Sequence, residues 1–165
     1  MDESEYYGPY NALLGHIFPV DERYIVVPQS KRLKKSVDLT TVFVVRHNRK
    51  LVFFIEVKPL GHMENASKRS ATGEEMRARY NTLFDDVEIN VLYGVSAIGT
   101  RVCFYKWTKE TREIMPKAIP SSPDFTIDTA PAERWSLDIL TAEGEERLRR
   151  VVDDVKTMCK ELERK

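Results

Sequence analysis

Residues 51–60, LVFFIEVKPL, constrain the fold of this chain more than any other segment. Successive side chains of a strand point to opposite faces. As a strand, the segment puts Leu51, Phe53, Ile55 and Val57 on one face and Val52, Phe54, Glu56 and Lys58 on the other. Both faces are apolar until the C-terminal end, which is the pattern of a strand central to a sheet and covered on both sides. Glu56 and Lys58 then share one face, just before Pro59 ends the ladder. Burying a charge without a partner is costly, so this pair needs partners or a task.

The preceding run, VDLTTVFVV, is also β-branched and aromatic, and the polar stretch RHNRK separates it from the first. The two predict a β-hairpin over residues 36–58. A turn centred on Asn48 sets Asp38 opposite Lys58, and one centred on His47 sets it opposite Glu56. Either register puts Asp38 on the face of the charged pair. A two-residue turn would flip Asp38 to the other face.

The remaining elements follow from periodicity. Tyr6, Tyr10, Leu13, Leu14 and Ile17 have helical spacing, and Pro9 suits a first turn, so a helix is expected to start near Gly8. Residues 23–27 predict a short strand stopped by Pro28. Residues 61–70 predict a polar connection. Residues 74–84 predict a helix capped by Thr72, with Glu75 completing a capping box. Residues 89–96 and 101–107 predict two strands joined around Gly99. Residues 109–131 are rich in Pro and Ser and predict a long loop excursion, with a short strand near residues 125–127. Leu148, Val151, Val152, Val155, Met158, Cys159 and Leu162 predict a final helix capped by Thr141. The order of elements predicts an α/β fold, a mixed sheet with helices packed on it, as one domain spanning residues 1–165.

Composition sets outer limits. No apolar run approaches the ~20 residues of a membrane span, and the acidic start MDESEYYGPY is unlike a secretory signal, so an intracellular protein of cytoplasm or nucleus is expected. Cys103 and Cys159 predict buried free thiols rather than a disulfide or zinc framework. His16, His47 and His62 lack metal-ligand spacing, and Ser30, Ser36 and Ser96 lack a nucleophile elbow. Gly94 and Gly99 are expected at a turn or bulge. Trp107 and Trp135 are expected as core or interface anchors. The formal net charge is zero, so any contact with phosphates must come from local basic clusters. Lys31, Lys34 and Lys35 in KRLKK, with Arg77 and Arg79, are the candidates.

Asp38, Glu56 and Lys58 converging on one point suit metal-dependent hydrolysis. Carboxylate oxygens hold Mg²⁺ or Mn²⁺, and the Val57 carbonyl can complete the coordination. Such an ion polarises a phosphodiester oxygen and acidifies a bound water. Lys58 can position that water or neutralise charge in the transition state.

This arrangement, Asp38 followed by Glu56-Val57-Lys58 at a strand end, resembles motifs II and III of the PD-(D/E)XK nuclease superfamily. Val37 stands where that superfamily's motif has proline. The runs LVFFIEVKP, EEMRARYNTLF, VLYGVSAIGTRVCFY and RWSLDIL resemble a group of fungal proteins related to it. The resemblance covers roughly residues 5–160. It implies a restriction-endonuclease-like central mixed sheet flanked by helices, and a Mg²⁺- or Mn²⁺-dependent nuclease acting on DNA. It implies a further acidic metal ligand in the first helix, for which Glu5 is the candidate and Glu3 a weaker one. It implies a polar accessory residue on the helix after Glu-x-Lys, where this chain has Glu75. It is also compatible with a homodimer in which each copy cuts one strand. The alternative expectation is the same fold without turnover, serving as a nucleic-acid- or protein-binding module.

Overall fold

The computed structural model describes the backbone of residues 4–32 and 39–165, and within these the side chains of residues 5–29 and 41–165. Asp38, Lys34, Lys35 and Glu3 lie outside the described residues, as does the side chain of Lys31.

Helix α1 (Ser4–Ile17) leads into strand β1 (Tyr24–Arg32), followed by the hairpin β2 (Leu39–His47) and β3 (Lys50–Lys58). Helix α2 (Ala66–Leu83) crosses to β4 (Val91–Ile98), which turns back into β5 (Arg101–Thr108). Two-residue strands β6 (Ile114–Met115) and β7 (Leu137–Asp138) precede helix α3 (Ala142–Glu163). The sheet order is β1-β2-β3-β4-β5-β6, with β7 also on β5. Among the described strands, only β3 and β4 pair in parallel. Parallel neighbours need a crossover connection of a dozen or more residues, and α2 supplies it.

The two faces are covered as the hydrophobic pattern of β3 requires. Along β3, every side chain from Leu51 to Lys58 is buried. The odd-numbered residues face α1 and α3: Phe18 of α1's C-terminal end packs on Phe53 with ring centroids 5.3 Å apart, and Tyr7 packs on Phe43 at 4.9 Å. The Tyr93 hydroxyl donates to Asp154 of α3 at 2.9 Å. The even-numbered residues face α2, where Phe54 meets Tyr80 edge-on at 5.0 Å.

Several elements differ from the sequence expectations. Helix α1 begins at Ser4 and takes Pro9 inside its first turns. Pro9 is the sixth residue of the helix, just past the four N–H groups that have no intrahelical partner, so it forgoes one backbone hydrogen bond, to the Glu5 carbonyl. Strand β1 continues through Pro28 to Arg32. It is an edge strand, where a missing N–H can face outward without breaking the ladder. Helix α2 starts at Ala66, eight residues before the expected start, and its cap is Asn65, which accepts the Lys68 N–H at 3.2 Å. Thr72 is therefore a buried helical residue whose hydroxyl donates to the Lys68 carbonyl. Residues 125–127 form no strand, and Phe125 is exposed.

The excursion after β6 is pinned to α2 by polar contacts. Arg69 donates to Asp128 and to the Ala130 carbonyl, both at 2.9 Å, and the Ser70 and Thr129 hydroxyls are 2.7 Å apart. Trp135, fully buried, follows it and donates its indole N–H to the Ser96 hydroxyl at 3.2 Å. No helix among the described residues is long and apolar enough to cross a membrane.

The candidate site: a buried carboxylate between two cations

The β2–β3 hairpin fixes which face Glu56 uses. Its turn has two central residues, Asn48 and Arg49, both with positive φ (49° and 71°), and His47 pairs with Lys50. This is the twist that two-residue hairpins favour. Neither odd-loop register therefore holds. The pairing then shifts by one residue: Arg46 faces Leu51 and Val45 faces Phe53, which leaves Val52 as the extra residue of a bulge. The bulge restores the parity that a two-residue turn would have lost. Beyond it Val42 faces Glu56 and Thr41 faces Val57, so Glu56 shares its face with the even-numbered residues of β2. On its other side Glu56 pairs with Ser96 of β4, which pairs with Cys103 of β5.

Glu56 has no solvent exposure, and among the described residues neither of its carboxylate oxygens accepts a hydrogen bond. Two cations stand beside it. The Lys58 ammonium lies 3.8 Å from Oε1, and the Arg79 Nε lies 3.5 Å from Oε2. Arg79 Nε is itself buried without a hydrogen-bond partner among the described residues, so this pair attracts by charge and not by alignment. Lys58 also forms a close ion pair with Glu75. Glu75 and Arg79 are one turn apart on α2, the spacing that puts both over the end of β3.

Burial pushes the Glu56 carboxyl up to about 7, against the lowering effect of Lys58 and Arg79, and Glu75 adds to the rise. Desolvation thus outweighs two nearby positive charges. Buried polar groups are almost always hydrogen-bonded, and each one left unpaired costs about 1–3 kcal/mol. Three orphaned atoms in one buried cluster, two of them on a carboxylate with a strongly perturbed pKa, mark this as the candidate site.

The other sequence candidates fall in different places. Glu5 is exposed on α1, across the sheet from α2. The first turn of α1 reaches the correct end of the sheet: a methyl group placed on Gly99 would lie 3.3 Å from the Tyr6 hydroxyl, and the Gly99 N–H donates to the Lys58 carbonyl at 2.9 Å. Among the described residues, no group of three or more His, Cys, Asp or Glu able to hold a metal ion forms. Arg77 points away from the cluster. Its guanidinium lies 5.7 Å over the Tyr105 ring and donates to the Pro116 carbonyl. Arg79 belongs to the cluster as the partner of Glu56. Sequence reasoning placed it among phosphate contacts. The spacing of Glu75 and Arg79 was the available signal, since only one face of a helix can meet the end of the central strand.

Glu56 and Glu75 are the carboxylates of this cluster that could hold a divalent ion of the Mg²⁺ class. Mg²⁺ takes one or two carboxylates and keeps several waters. Glu56 offers two orphaned oxygens and Glu75 a second carboxylate, both on Lys58. No protein-family model, no curated protein and no solved structure matches the chain.

Proposed function

We propose that this chain is a Mg²⁺- or Mn²⁺-dependent nuclease that hydrolyses phosphodiester bonds, in DNA by preference, on a restriction-endonuclease-like plan. The observation that carries the reading is Glu56: a fully buried carboxylate whose oxygens accept no hydrogen bond among the described residues, at the end of the central strand, two residues before Lys58. The element order supports the plan, with a β2–β3 hairpin, a parallel crossover through α2 and a β4–β5 hairpin.

In this reading Glu56 holds the ion, with the Val57 carbonyl, Asp38 and Glu75 as further ligands. The ion supplies polarisation of the phosphodiester and a more acidic water. The chain's own residues do the rest. Lys58, released from Glu75 by the incoming negative charge, would hold the attacking water or a phosphate oxygen. The buried wall around Glu56, formed by Val42, Phe54 and Ser96, keeps bulk water from the carboxylate. Nucleic acid would reach the site from the end of the sheet; Lys31, Lys34 and Lys35 are the proposed phosphate contacts.

The test is calorimetric titration of Mn²⁺ into the parent protein and into Glu56→Ala. Binding by the parent that disappears in the variant is the expected result, followed by Mg²⁺-dependent nicking of plasmid DNA by the parent alone. A parent that binds no Mn²⁺ overturns the nuclease reading.

A second reading has one observation behind it. Glu56 is already opposed by Lys58 and Arg79, so its charge is balanced without an ion. The fold would then serve as a nucleic-acid- or protein-binding module without turnover. Arg79 separates the two readings. If Arg79 holds the place of a metal ion, Arg79→Met should bind Mn²⁺ more tightly than the parent by about tenfold, equivalent to about 1.4 kcal/mol. If the cluster is purely structural, the same variant leaves a buried carboxylate with one cation, and loses stability without gaining affinity for the ion.

A further inference from the structure

The outer edge of β5 is covered by two short strands with a gap between them. The Thr108 N–H donates to the Glu113 carbonyl and the Ile139 N–H to the Thr100 carbonyl, so the even-numbered residues of β5 turn their backbone groups outward. Val102 meets Leu137 of β7, and Lys106 meets Met115 of β6. Phe104, between them, has no strand partner on that side among the described residues. At roughly 3.3 Å per residue the gap from Val102 to Lys106 is about 13 Å long.

A cavity of about 380 Å³ opens at this gap. Its lining includes three cations, Lys106, Arg134 and Arg147, and no Asp or Glu. Arg147 lies over the Phe104 ring at 5.1 Å, and Arg134 donates to the Lys117 carbonyl at 2.7 Å, so both are oriented while several of their donors stay available. Asp154, near Arg147 on α3, is engaged by the Tyr93 hydroxyl at 2.9 Å. The walls are aromatic: Tyr93 and Phe104 on one side of the sheet and Tyr105 on the other.

We propose that this notch binds a nucleoside monophosphate. Met115 and Leu137 close both ends, so a through-running peptide strand has no room, and the occupant is a small molecule. Phe104 offers an outward N–H beside an outward C=O, which matches the adjacent acceptor and donor on the edge of a nucleobase. Three cations without a carboxylate match a dianionic phosphate better than a single carboxylate. The volume lies in the range of small-ligand sites. The site is separate from the Glu56 cluster and needs no metal ion.

The experiment is calorimetric titration without divalent ions, using guanosine 5′-monophosphate, guanosine and inorganic phosphate as probes. The proteins are the parent, Lys106→Glu, Arg147→Glu and Glu56→Ala. Lys106 is exposed and Arg147 half-buried, and circular dichroism checks that all three variants fold. The parent and Glu56→Ala should bind the monophosphate equally, each charge reversal should weaken it at least tenfold, and guanosine and phosphate alone should each bind at least tenfold more weakly. Absence of binding at millimolar monophosphate overturns the proposal. So does equal binding by parent and charge-reversed variants, or phosphate binding as tightly as the nucleotide. Because Glu56→Ala is one of the proteins, failure of the metal site and failure of this site give different patterns.

Discussion

On the proposed nuclease reading, replacing Glu56 by glutamine is expected to abolish Mn²⁺ binding and cleavage while leaving the protein at least as stable as the parent at pH 8. The carboxyl is held at about 7 in the folded protein, above its ordinary 4.5, because burial disfavours its charge more than Lys58 and Arg79 favour it. Between those two values the folded state binds more protons than the unfolded one. Stability therefore falls as pH rises from about 4.5 to about 7 and is flat above, as far as this group is concerned. At about 1.36 kcal/mol per pH unit, the ionised carboxylate costs the parent roughly 3 kcal/mol above pH 7. Glutamine keeps the size and removes the charge, so the variant escapes that fall. Urea denaturation at pH 5 and pH 8 checks this. The parent should lose about 2–3 kcal/mol more than the variant between the two, and at pH 8 the variant should melt several degrees higher. Parallel pH profiles would show that Glu56 ionises freely in the fold and would remove the main argument for a poised site. A substitution that stabilises a protein while removing its activity is the pattern expected where function needs an unfavourable buried group.

The parts of the structure that were legible in the sequence are those where one periodicity dominates. β3 is apolar at both parities, and it lies in the middle of the sheet, buried on both faces. The apolar stripe of α3 gave its burial, with Leu148, Val151, Val152, Val155 and Cys159 inside and Thr141 as the cap. Helix α2 was shortened in the sequence reading because its first turns carry no apolar stripe. Arg69, Thr72 and Gly73 are the residues it buries there, beneath a segment some sixty positions away that supplies Asp128 and the Ala130 carbonyl. A buried arginine can be foreseen only when its distant partner is known. The hairpin register failed for a different reason. Arg49 adopts a positive φ without the Asn-Gly or Asp-Gly signal that marks such turns, and nothing at Val52 announces a bulge. Two unforeseen features, a tighter turn and an extra residue, cancelled in their effect on parity. The site was legible as Glu56 and Lys58, but its neutralisation by Glu75 and Arg79 appears only when α2 is laid across the sheet.

That crossing depends on Gly94, and Gly94→Ala is expected to damage both stability and site. Gly94 is neither a turn nor a bulge residue. It sits in mid-strand, paired with Phe54 on one side and Tyr105 on the other. A methyl group on it would meet the Phe54 ring at 2.5 and 2.6 Å and the Tyr80 hydroxyl at 2.8 Å. Neither neighbour has room to yield. Phe54 is fully buried between β2 and β4, and Tyr80 is fully buried with its hydroxyl donating to the Leu92 carbonyl at 3.1 Å. Overpacking of this kind costs about 1–3 kcal/mol, and loss of the tyrosine hydrogen bond adds about 1. Tyr80 is the next residue after Arg79, so relief by lifting α2 also withdraws Arg79 and Glu75 from Glu56 and Lys58. Gly94→Ala should therefore unfold about 2–4 kcal/mol more easily than the parent and change Mn²⁺ affinity as well. Tyr80→Phe in the same background removes only the hydroxyl contact. Phe54→Leu removes the two ring atoms in closest conflict, so the pair Phe54→Leu and Gly94→Ala should cost clearly less than the sum of the single changes. Strict additivity, or a Gly94→Ala protein that melts with the parent, would mean that α2 is not held at this height by the glycine, and that the geometry of the Glu56 cluster has another origin.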